Sequence, residues 1–222
     1  MTDILLALLF LLPVASIAQT AEDRSVVACP AAEMKVTRLP NLHVPRIGHS
    51  VMRIGDEVVV FGGHTSGFVP TPTAEYYSDG EWHLMQMVYT HDQGATALTG
   101  SGQVVICGGH EKELGIGQTF TVELYDPKEH RLTGYGCTEK KRCFAKALTM
   151  DGVGTVVSGN WYAEDAIELF DGSRQNKLVK EVAQQRSIPY ILRTSRDNAI
   201  IFSDRETHAA PPRYHSDRPP AR

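Results

Sequence analysis

The sequence predicts an all-β fold in which one four-stranded antiparallel unit occurs several times. An apolar run that ends in a glycine pair, Gly62-Gly63, returns at Gly108-Gly109 and in weaker form at Ser158-Gly159. The spacing of about 46 to 50 residues is typical of arrays of repeated β-sheet units. No stretch of the repeated region shows the 3.6-residue periodicity of an amphipathic helix. Repetition and strand-like patterning therefore indicate a β-repeat protein.

The first two strands of each unit form a predicted hairpin. A strand-like stretch precedes each apolar run, at residues 48–53, 94–99 and 144–149. Glycine-containing turns separate the two strands, because glycine tolerates the positive φ of tight hairpins. These turns are Ile54-Gly55-Asp56, Gly100-Ser101-Gly102 and Met150-Asp151-Gly152.

Two further strands complete each predicted unit. After a variable loop, residues 74–77, 122–126 and 167–171 alternate between apolar and polar side chains, as half-buried strands do. A fourth stretch follows at 81–84 in the first copy and 176–180 in the third. Four short antiparallel strands per repeat predict a blade of a β-propeller, which buries its faces against neighbouring blades.

The repeat resembles a known family. The glycine pair after an apolar strand, the tyrosine that follows it and Trp82 resemble kelch repeats, the blades of kelch and galactose-oxidase-like propellers. The resemblance covers roughly residues 39–180 and reaches weakly to Ser203. It departs from the pattern in the third copy, where we align Ser158 with the first glycine, and only the first copy keeps the tryptophan. It implies a kelch-type β-propeller.

We expect about three complete blades plus a partial fourth. Propellers of the family that the repeat resembles usually close with six or seven blades, so the predicted ring is incomplete. Three explanations of an incomplete ring remain open: a truncated product, a fragment, or a half-ring that a second chain completes by self-association. Around the blades we predict a 1–18 signal peptide, a 19–38 N-terminal segment and a disordered, proline-rich tail at 204–222. The predicted propeller spans 39–203, with blades at 46–90, 91–138, 139–184 and a partial blade at 185–203.

The first residues are typical of an export signal. An apolar core from Ile4 to Leu12 is too short to span a bilayer, and Ser16-Ile17-Ala18 provides the small residues of a cleavage site. Asp3 stands where a signal peptide usually carries Lys or Arg. We expect cleavage after Ala18 and a secreted or periplasmic location.

Export gives the four cysteines a second interpretation as disulfide partners. Cys137 and Cys143 flank the entry into the third copy, and the sequence leaves open whether they form a disulfide or stay thiols. Cys107 occupies a strand position and is expected to be a small buried residue. Cys29 has no evident partner, and no cysteine or histidine spacing predicts a metal site.

Strand direction places a candidate binding face at one end of the blades. The loop that enters the first strand and the loop that leaves the second lie at the same end, because the two strands are antiparallel. At the entry, the predicted channel-mouth residues are Arg46, Asp92 and Arg142 in equivalent positions, with His91 beside Asp92. At the exit, they are His64, His110 and Asn160 in equivalent positions, followed by Trp161. The alternative is that they are solvated loop charges or residues that pack one blade against the next.

The third strands carry a recurring glutamate, at Glu75, Glu123 and Glu168. This place within a strand favours a structural salt bridge or an edge contact. Paired-carboxylate catalysis would need these side chains to face a cleft.

Composition excludes some classes of function. A formal net charge of −4 without a basic stripe argues against nucleic-acid binding. We expect no cofactor and no catalytic residue, and the ligand set of the copper oxidases in this superfamily is not recognisable. The predicted function is a module that binds a protein or a glycan at the channel mouth. The alternative is a fragment of a carbohydrate-active propeller enzyme of the oxidase, epimerase or glycosidase type.

Overall fold

The structure, a computed structural model, describes residues 36–113, 116–171, 177–202 and 207–209. The predicted signal peptide 1–18, Cys29 and most of the predicted tail lie outside these residues. The strands belong to the compact unit Leu39–Arg222. They are β1 (Ser50–Ile54), β2 (Glu57–Phe61), β3 (His64–Thr65), β4 (Val69–Pro70), β5 (Thr73–Ser78), β6 (Glu81–Gln86), β7 (Ala95–Leu98), β8 (Val104–Cys107), β9 (His110–Lys112), β10 (Ile116–Asp126), β11 (Arg131–Arg142), β12 (Lys146–Met150), β13 (Gly154–Ser158), β14 (Asn160–Phe170), β15 (Lys177–Ser187), β16 (Tyr190–Arg193), β17 (Ala199–Phe202) and β18 (Thr207–Ala209).

All strands except β3 and β4 form four successive antiparallel sheets along the chain, and β3 pairs with β4 in a separate two-stranded sheet. The first sheet has the order β1-β2-β5-β6, and the third has the equivalent order β12-β13-β14-β15. In the second sheet β7, β8, β10 and β11 follow one another, and β9 pairs with β10. The fourth sheet contains β16, β17 and β18. No α-helix occurs in the described ranges, so the prediction of an all-β, antiparallel protein is confirmed.

Turn residues explain why the strands reverse where they do. Gly55 closes the β1–β2 hairpin with a φ of 62°. Asp79 and Gly80 join β5 to β6 with φ values of 52° and 92°. Two successive positive φ values are the requirement of a type I′ turn, whose twist matches that of the strands it connects.

Hydrophobic clusters lie between successive sheets. Phe61 of β2 and Tyr125 of β10 meet edge to face, with ring centroids 5.3 Å apart. Each fully buried side chain of this kind contributes about 1.5–3 kcal/mol. The cluster of the first and second sheets contains Val59, Phe61, Ala74, Met85, Met87, Val104, Ile106, Tyr125 and Leu132. The second and third sheets share a cluster around Val105, Cys107 and Val157, and the third and fourth share one around Met150, Val156 and Ile201.

The first strands of the four sheets contact one another in order. Strand β1 contacts β7, β7 contacts β12, and β12 contacts β16. The starts of these strands are also joined by backbone hydrogen bonds, from Gln93 N to Gly48 O at 2.9 Å and from Phe144 N to Gln93 O at 2.8 Å. Successive sheets are therefore linked at their first strands as well as through their apolar faces.

Three predicted boundaries differ from the structure. Strand β15 continues to Ser187, past the predicted end of the third repeat at 184. Strand β11 continues to Arg142, past the predicted end of the second repeat at 138. Thr207–Ala209, which we assigned to the tail, pairs with β17. The free edge of β17 offers unpaired backbone groups, and a third strand satisfies them.

Candidate functional site

Each of the first three sheets buries one glutamate in its third strand. Glu75, Glu123 and Glu168 have no exposed surface. Each carboxylate accepts hydrogen bonds from two successive backbone N–H groups of the segment that precedes the sheet. The donors are His43 and Val44 to Glu75, Val88 and Tyr89 to Glu123, and Glu139 and Lys140 to Glu168, with N···O distances of 2.5–3.1 Å.

A buried arginine completes this arrangement in the first and third sheets. Arg46 Nη2 lies 2.8 Å from Glu75 Oε1, and Arg46 Nη1 donates to Gly62 O at 2.9 Å. Arg142 Nη2 lies 2.5 Å from Glu168 Oε1, and its Nη1 is 3.5 Å from Gly159 O. Each guanidinium therefore joins the buried glutamate to the carbonyl of a glycine at the end of the second strand.

His91 takes the arginine's place in the second sheet. Its Nδ1 donates to Gly108 O at 2.6 Å, because a carbonyl can only accept. Its Nε2 lies 3.3 Å from Glu123 Oε1. The prediction that Asp92 is the counterpart of Arg46 and Arg142 is therefore wrong. We call each set of glutamate, basic side chain and glycine carbonyl a clamp.

The clamps also correct the register of the third repeat. Gly62, Gly108 and Gly159 accept the three equivalent bonds, so Gly159, and not Ser158, stands at the first-glycine position. Trp161 is consequently the counterpart of His64 and His110. Asn160 was assigned to that position from the sequence, and it occupies the place of the second glycine instead.

The first two glycine pairs allow one sheet to approach the next closely. A Cβ on Gly62 would lie 2.4 Å from His91 O, and one on Gly108 would lie 2.9 Å from Arg142 O, each in the segment that leads into the next sheet. Gly63 N donates to His91 O at 3.3 Å. The pair is thus required by backbone contact between neighbouring sheets.

Asp92 lies between two buried histidines. Its Oδ1 is 2.7 Å from His64 Nδ1, and its Oδ2 is 3.6 Å from His110 Nδ1. All three side chains are at least nine-tenths buried. The cluster links the end of the first sheet to the second.

Asn160 and Cys143 are buried together in the third sheet. Asn160 Nδ2 donates to Lys141 O at 2.6 Å, and the Cys143 thiol lies 3.8 Å from Asn160 Oδ1. Cys137 is an exposed thiol on β11. The disulfide between Cys137 and Cys143 that the sequence left open is not formed in the structure.

Seven of the eight predicted channel-mouth residues are buried. Trp161 is half-buried, with its ring centroid 6.1 Å from that of Phe144. The buried residues are Arg46, His64, His91, Asp92, His110, Arg142 and Asn160. In the structure their side chains make hydrogen bonds that join the ends of the strands to the loops that lead into the sheets. The sequence showed that they recur but could not show that they are covered.

The pKa values of Arg46 and Glu75 in the first clamp are both lowered from their ordinary values. Burial lowers the pKa of Arg46, although contact with Glu75 opposes that shift. Burial alone would raise the pKa of Glu75, but the N–H groups of His43 and Val44, the His43 ring and Arg46 hold it below its ordinary value. The carboxylate is therefore ionised at neutral pH, as a structural ion pair requires.

A crevice that sequence reasoning missed opens beside the clamps. It measures about 200 Å³ and lies where the first strands of three sheets begin. Gly48, Gln93 and Phe144 occupy equivalent positions on its wall, with φ values of 68°, 57° and 53°. Two larger clefts, of about 440 and 420 Å³, border the hairpin turns at the opposite ends of these strands.

No protein-family model matches the chain, and no curated protein matches it. Within the described ranges, no group of three or more His, Cys, Asp and Glu side chains has a metal-binding arrangement. The same ranges contain no helix with the length and apolar character needed to cross a membrane.

Proposed function

We propose that this chain is an exported kelch-type β-propeller that acts as a binding module for a protein or glycan partner. The observation that carries the proposal is the clamp, which recurs in three successive sheets at the same end of each. Equivalent contacts in equivalent sheets are expected when one structural unit is repeated by rotation about an axis. The ordered contacts between first strands support the same arrangement.

The proposed binding face is formed by the hairpins that follow the glycine pairs. Phe68 and Val69 at the β3–β4 hairpin are 53% and 39% exposed, and Ile116 at the start of β10 is 56% exposed. Strand β4 contacts β9, so the two hairpins are neighbours. Exposed apolar side chains beside the exposed charges of Glu111 and Lys112 suit a partner-binding surface.

The clamps give this face a rigid base. Loops that carry binding residues are most useful when a fixed scaffold positions them. Arg46 fixes Gly62, which directly precedes the first hairpin, and His91 fixes Gly108, which precedes the second. The buried polar residues thus contribute to binding through position rather than by contact.

A matched pair of variants tests the proposed face. Phe68 and Leu84 are both 53% exposed, but Leu84 lies on the outer strand β6. The labelled full-length chain is applied to a glycan array and crosslinked to proteins of the native exported fraction. Phe68→Ser should abolish the partner signal and Leu84→Ser should retain it; equal signals from both variants would refute the binding face.

Export and fold are tested separately. N-terminal sequencing of the mature protein should begin at Gln19, and an intact Met1 would refute the predicted signal peptide. A crystal structure in which β1, β7, β12 and β16 do not surround a common axis would refute the propeller.

A further inference from the structure

One face of the fourth sheet is apolar and uncovered in the described part of the chain. Strand pairing places four of its side chains together: Tyr190 beside Phe202 and Leu192 beside Ile200. Leu192 and Phe202 are 57% and 40% exposed. The opposite face, with Ile201, packs on the third sheet. A contiguous exposed apolar face of this kind indicates a surface that a partner covers.

The same face is buried in the first sheet. Phe202 is the counterpart of Phe61, because each is the last residue of the second strand and pairs with the first residue of the first strand. Ile200 is therefore the counterpart of Val59. Phe61 and Val59 are fully buried and pack on the second sheet. The fourth sheet thus presents the face that takes a neighbouring sheet elsewhere in the chain.

The first sheet has an uncovered face of the complementary kind. Tyr77 is the counterpart of Tyr125, because each lies two residues after the glutamate of its clamp. Tyr125 is fully buried against the first sheet, whereas Tyr77 is only half-buried. The strand register puts Val51, which is 54% exposed, on the same face as Tyr77. This face is the one that the second sheet turns toward its predecessor.

An aromatic pair shows how the two uncovered faces fit each other. Between the first and second sheets, Phe61 meets Tyr125 edge to face with ring centroids 5.3 Å apart. If the first sheet of a second copy packs on the fourth sheet in the same way, Phe202 meets Tyr77. Such edge-to-face pairs are favourable beyond the apolar area that they bury.

The first strands of the two sheets fit in the same way. Strand register makes Leu192 the counterpart of Met52 and Val51 the counterpart of Thr96. Met52 and Thr96 line one cleft, where β1 contacts β7. A second copy in the equivalent position brings Leu192 close to Val51. Two exposed apolar side chains then leave water together, which favours association.

We propose that a second copy of this chain covers the fourth sheet with its own first sheet, and that the pair is reciprocal. This inference rests on the proposed propeller and selects the half-ring that a second chain completes. Each copy contributes four sheets, so a pair supplies eight, within the roughly four to eight blades of closed propellers. A contact between unlike faces either closes or continues as a filament, and closure covers both faces of both copies.

Two exposed positions of the full-length chain test the pairing. Leu192→Asp places a charge on the fourth-sheet face, and Val51→Lys places one on the first-sheet face. Leu178→Asp is the matched control, because Leu178 is also exposed but lies on the outer strand β15 of the third sheet. Sedimentation equilibrium measures the mass and the Kd of dimerisation. Circular dichroism establishes that each variant is folded.

We expect the wild type and the Leu178→Asp control to have twice the chain mass. Each face variant should dimerise about a hundredfold more weakly, because pairing would bury an unpaired charge. A mixture of Leu192→Asp and Val51→Lys chains should form pairs again. One interface of the mixed pair is unaltered, and the other sets the new carboxylate beside the new ammonium group.

A monomeric wild type, dimers that survive either face substitution, or a mixture that stays monomeric would overturn the proposal. Assemblies that grow beyond a pair with concentration would overturn it as well. A monomer whose first strands surround a common axis in a crystal structure would refute this inference and leave the propeller standing. The two failures are therefore distinguishable.

Discussion

Arg142 and Glu168 form an ion pair that is completely withdrawn from solvent, with Nη2 and Oε1 2.5 Å apart. Glu168 also accepts the N–H groups of Glu139 and Lys140. One carboxylate thus attaches the end of β11 to the third sheet. Such a pair contributes little net stability against an apolar replacement, but it becomes costly when one partner is removed.

We expect Arg142→Met to lower the free energy of unfolding by about 3–5 kcal/mol, because Glu168 is left as an uncompensated buried charge. Adding Glu168→Gln should recover part of that loss. Urea denaturation measures both. The surface pair Arg131–Glu129, with 66% and 56% exposed side chains, provides the control Arg131→Met, which should cost no more than about 1 kcal/mol. Equal losses for the two arginines would contradict the clamp.

Substitution of Gly55 and of Gly62 distinguishes the cost of backbone strain from the cost of close packing between sheets. Their φ values are 61° and 62°, but a Cβ on Gly62 would lie 2.4 Å from His91 O, whereas one on Gly55 meets nothing within 4 Å. Gly55→Ala should cost only the left-handed strain of about 1–2 kcal/mol. Gly62→Ala should cost more than about 3 kcal/mol because two sheets must separate. Thermal unfolding that ranks the two variants equally would refute the close approach.

The repeat itself was predictable because glycine pairs, turns and alternating strands are local features. The recurrence of Glu75, Glu123 and Glu168 favoured a structural salt bridge or an edge contact, and the structure contains a buried ion pair at Glu75 and at Glu168. The partner of Glu123 was not predictable. The sequence placed Asp92 in the position of Arg46 and Arg142, but the contacts of the His91 ring with both Gly108 O and Glu123 decide the equivalence.

Sequence also misplaced the third repeat by one residue. Ser158-Gly159 looks like a weakened glycine pair, whereas the Arg142 contact shows that the first glycine is Gly159. Residue type alone cannot separate these registers, because the difference lies in which carbonyl faces the next sheet. For the same reason, the crevice at Gln93 and Phe144 became visible only once the positions of the first strands in space were known.

His91→Arg makes the second clamp equivalent to the first and third. Arginine already occupies this environment in two sheets, so the variant should fold and be at least as stable as the wild type in urea. His91→Ala should be clearly less stable because Gly108 O loses its donor and the buried Glu123 carboxylate loses the neighbouring ring. If both variants were equally destabilised, the His91 site would not be equivalent to Arg46.

The lowered pKa of Glu75 predicts that the free energy of unfolding depends on pH. Its pKa is lowered in the folded protein, so the ionised carboxylate stabilises the fold above its unfolded pKa of about 4.3. That contribution is lost as the pH falls through the folded pKa. Denaturant unfolding from pH 7 to pH 3 should therefore show a steeper loss in the wild type than in Glu75→Gln. Glu81→Gln, whose side chain is 73% exposed, should behave like the wild type, and a wild-type slope in Glu75→Gln would contradict the assignment.

We expect Cys107 and Cys137 to react with a thiol reagent at different rates in the native protein. Cys107 is fully buried, and burial raises the pKa of its thiol to about 12. Because the thiolate is the reactive form, Cys107 should resist iodoacetamide at pH 8 until the protein unfolds, while exposed Cys137 should react at once. Peptide mass mapping without reductant measures both sites. Native labelling of Cys107 would contradict the inter-sheet core, and a linked peptide containing Cys137 and Cys143 would show that the protein forms the disulfide that the structure lacks.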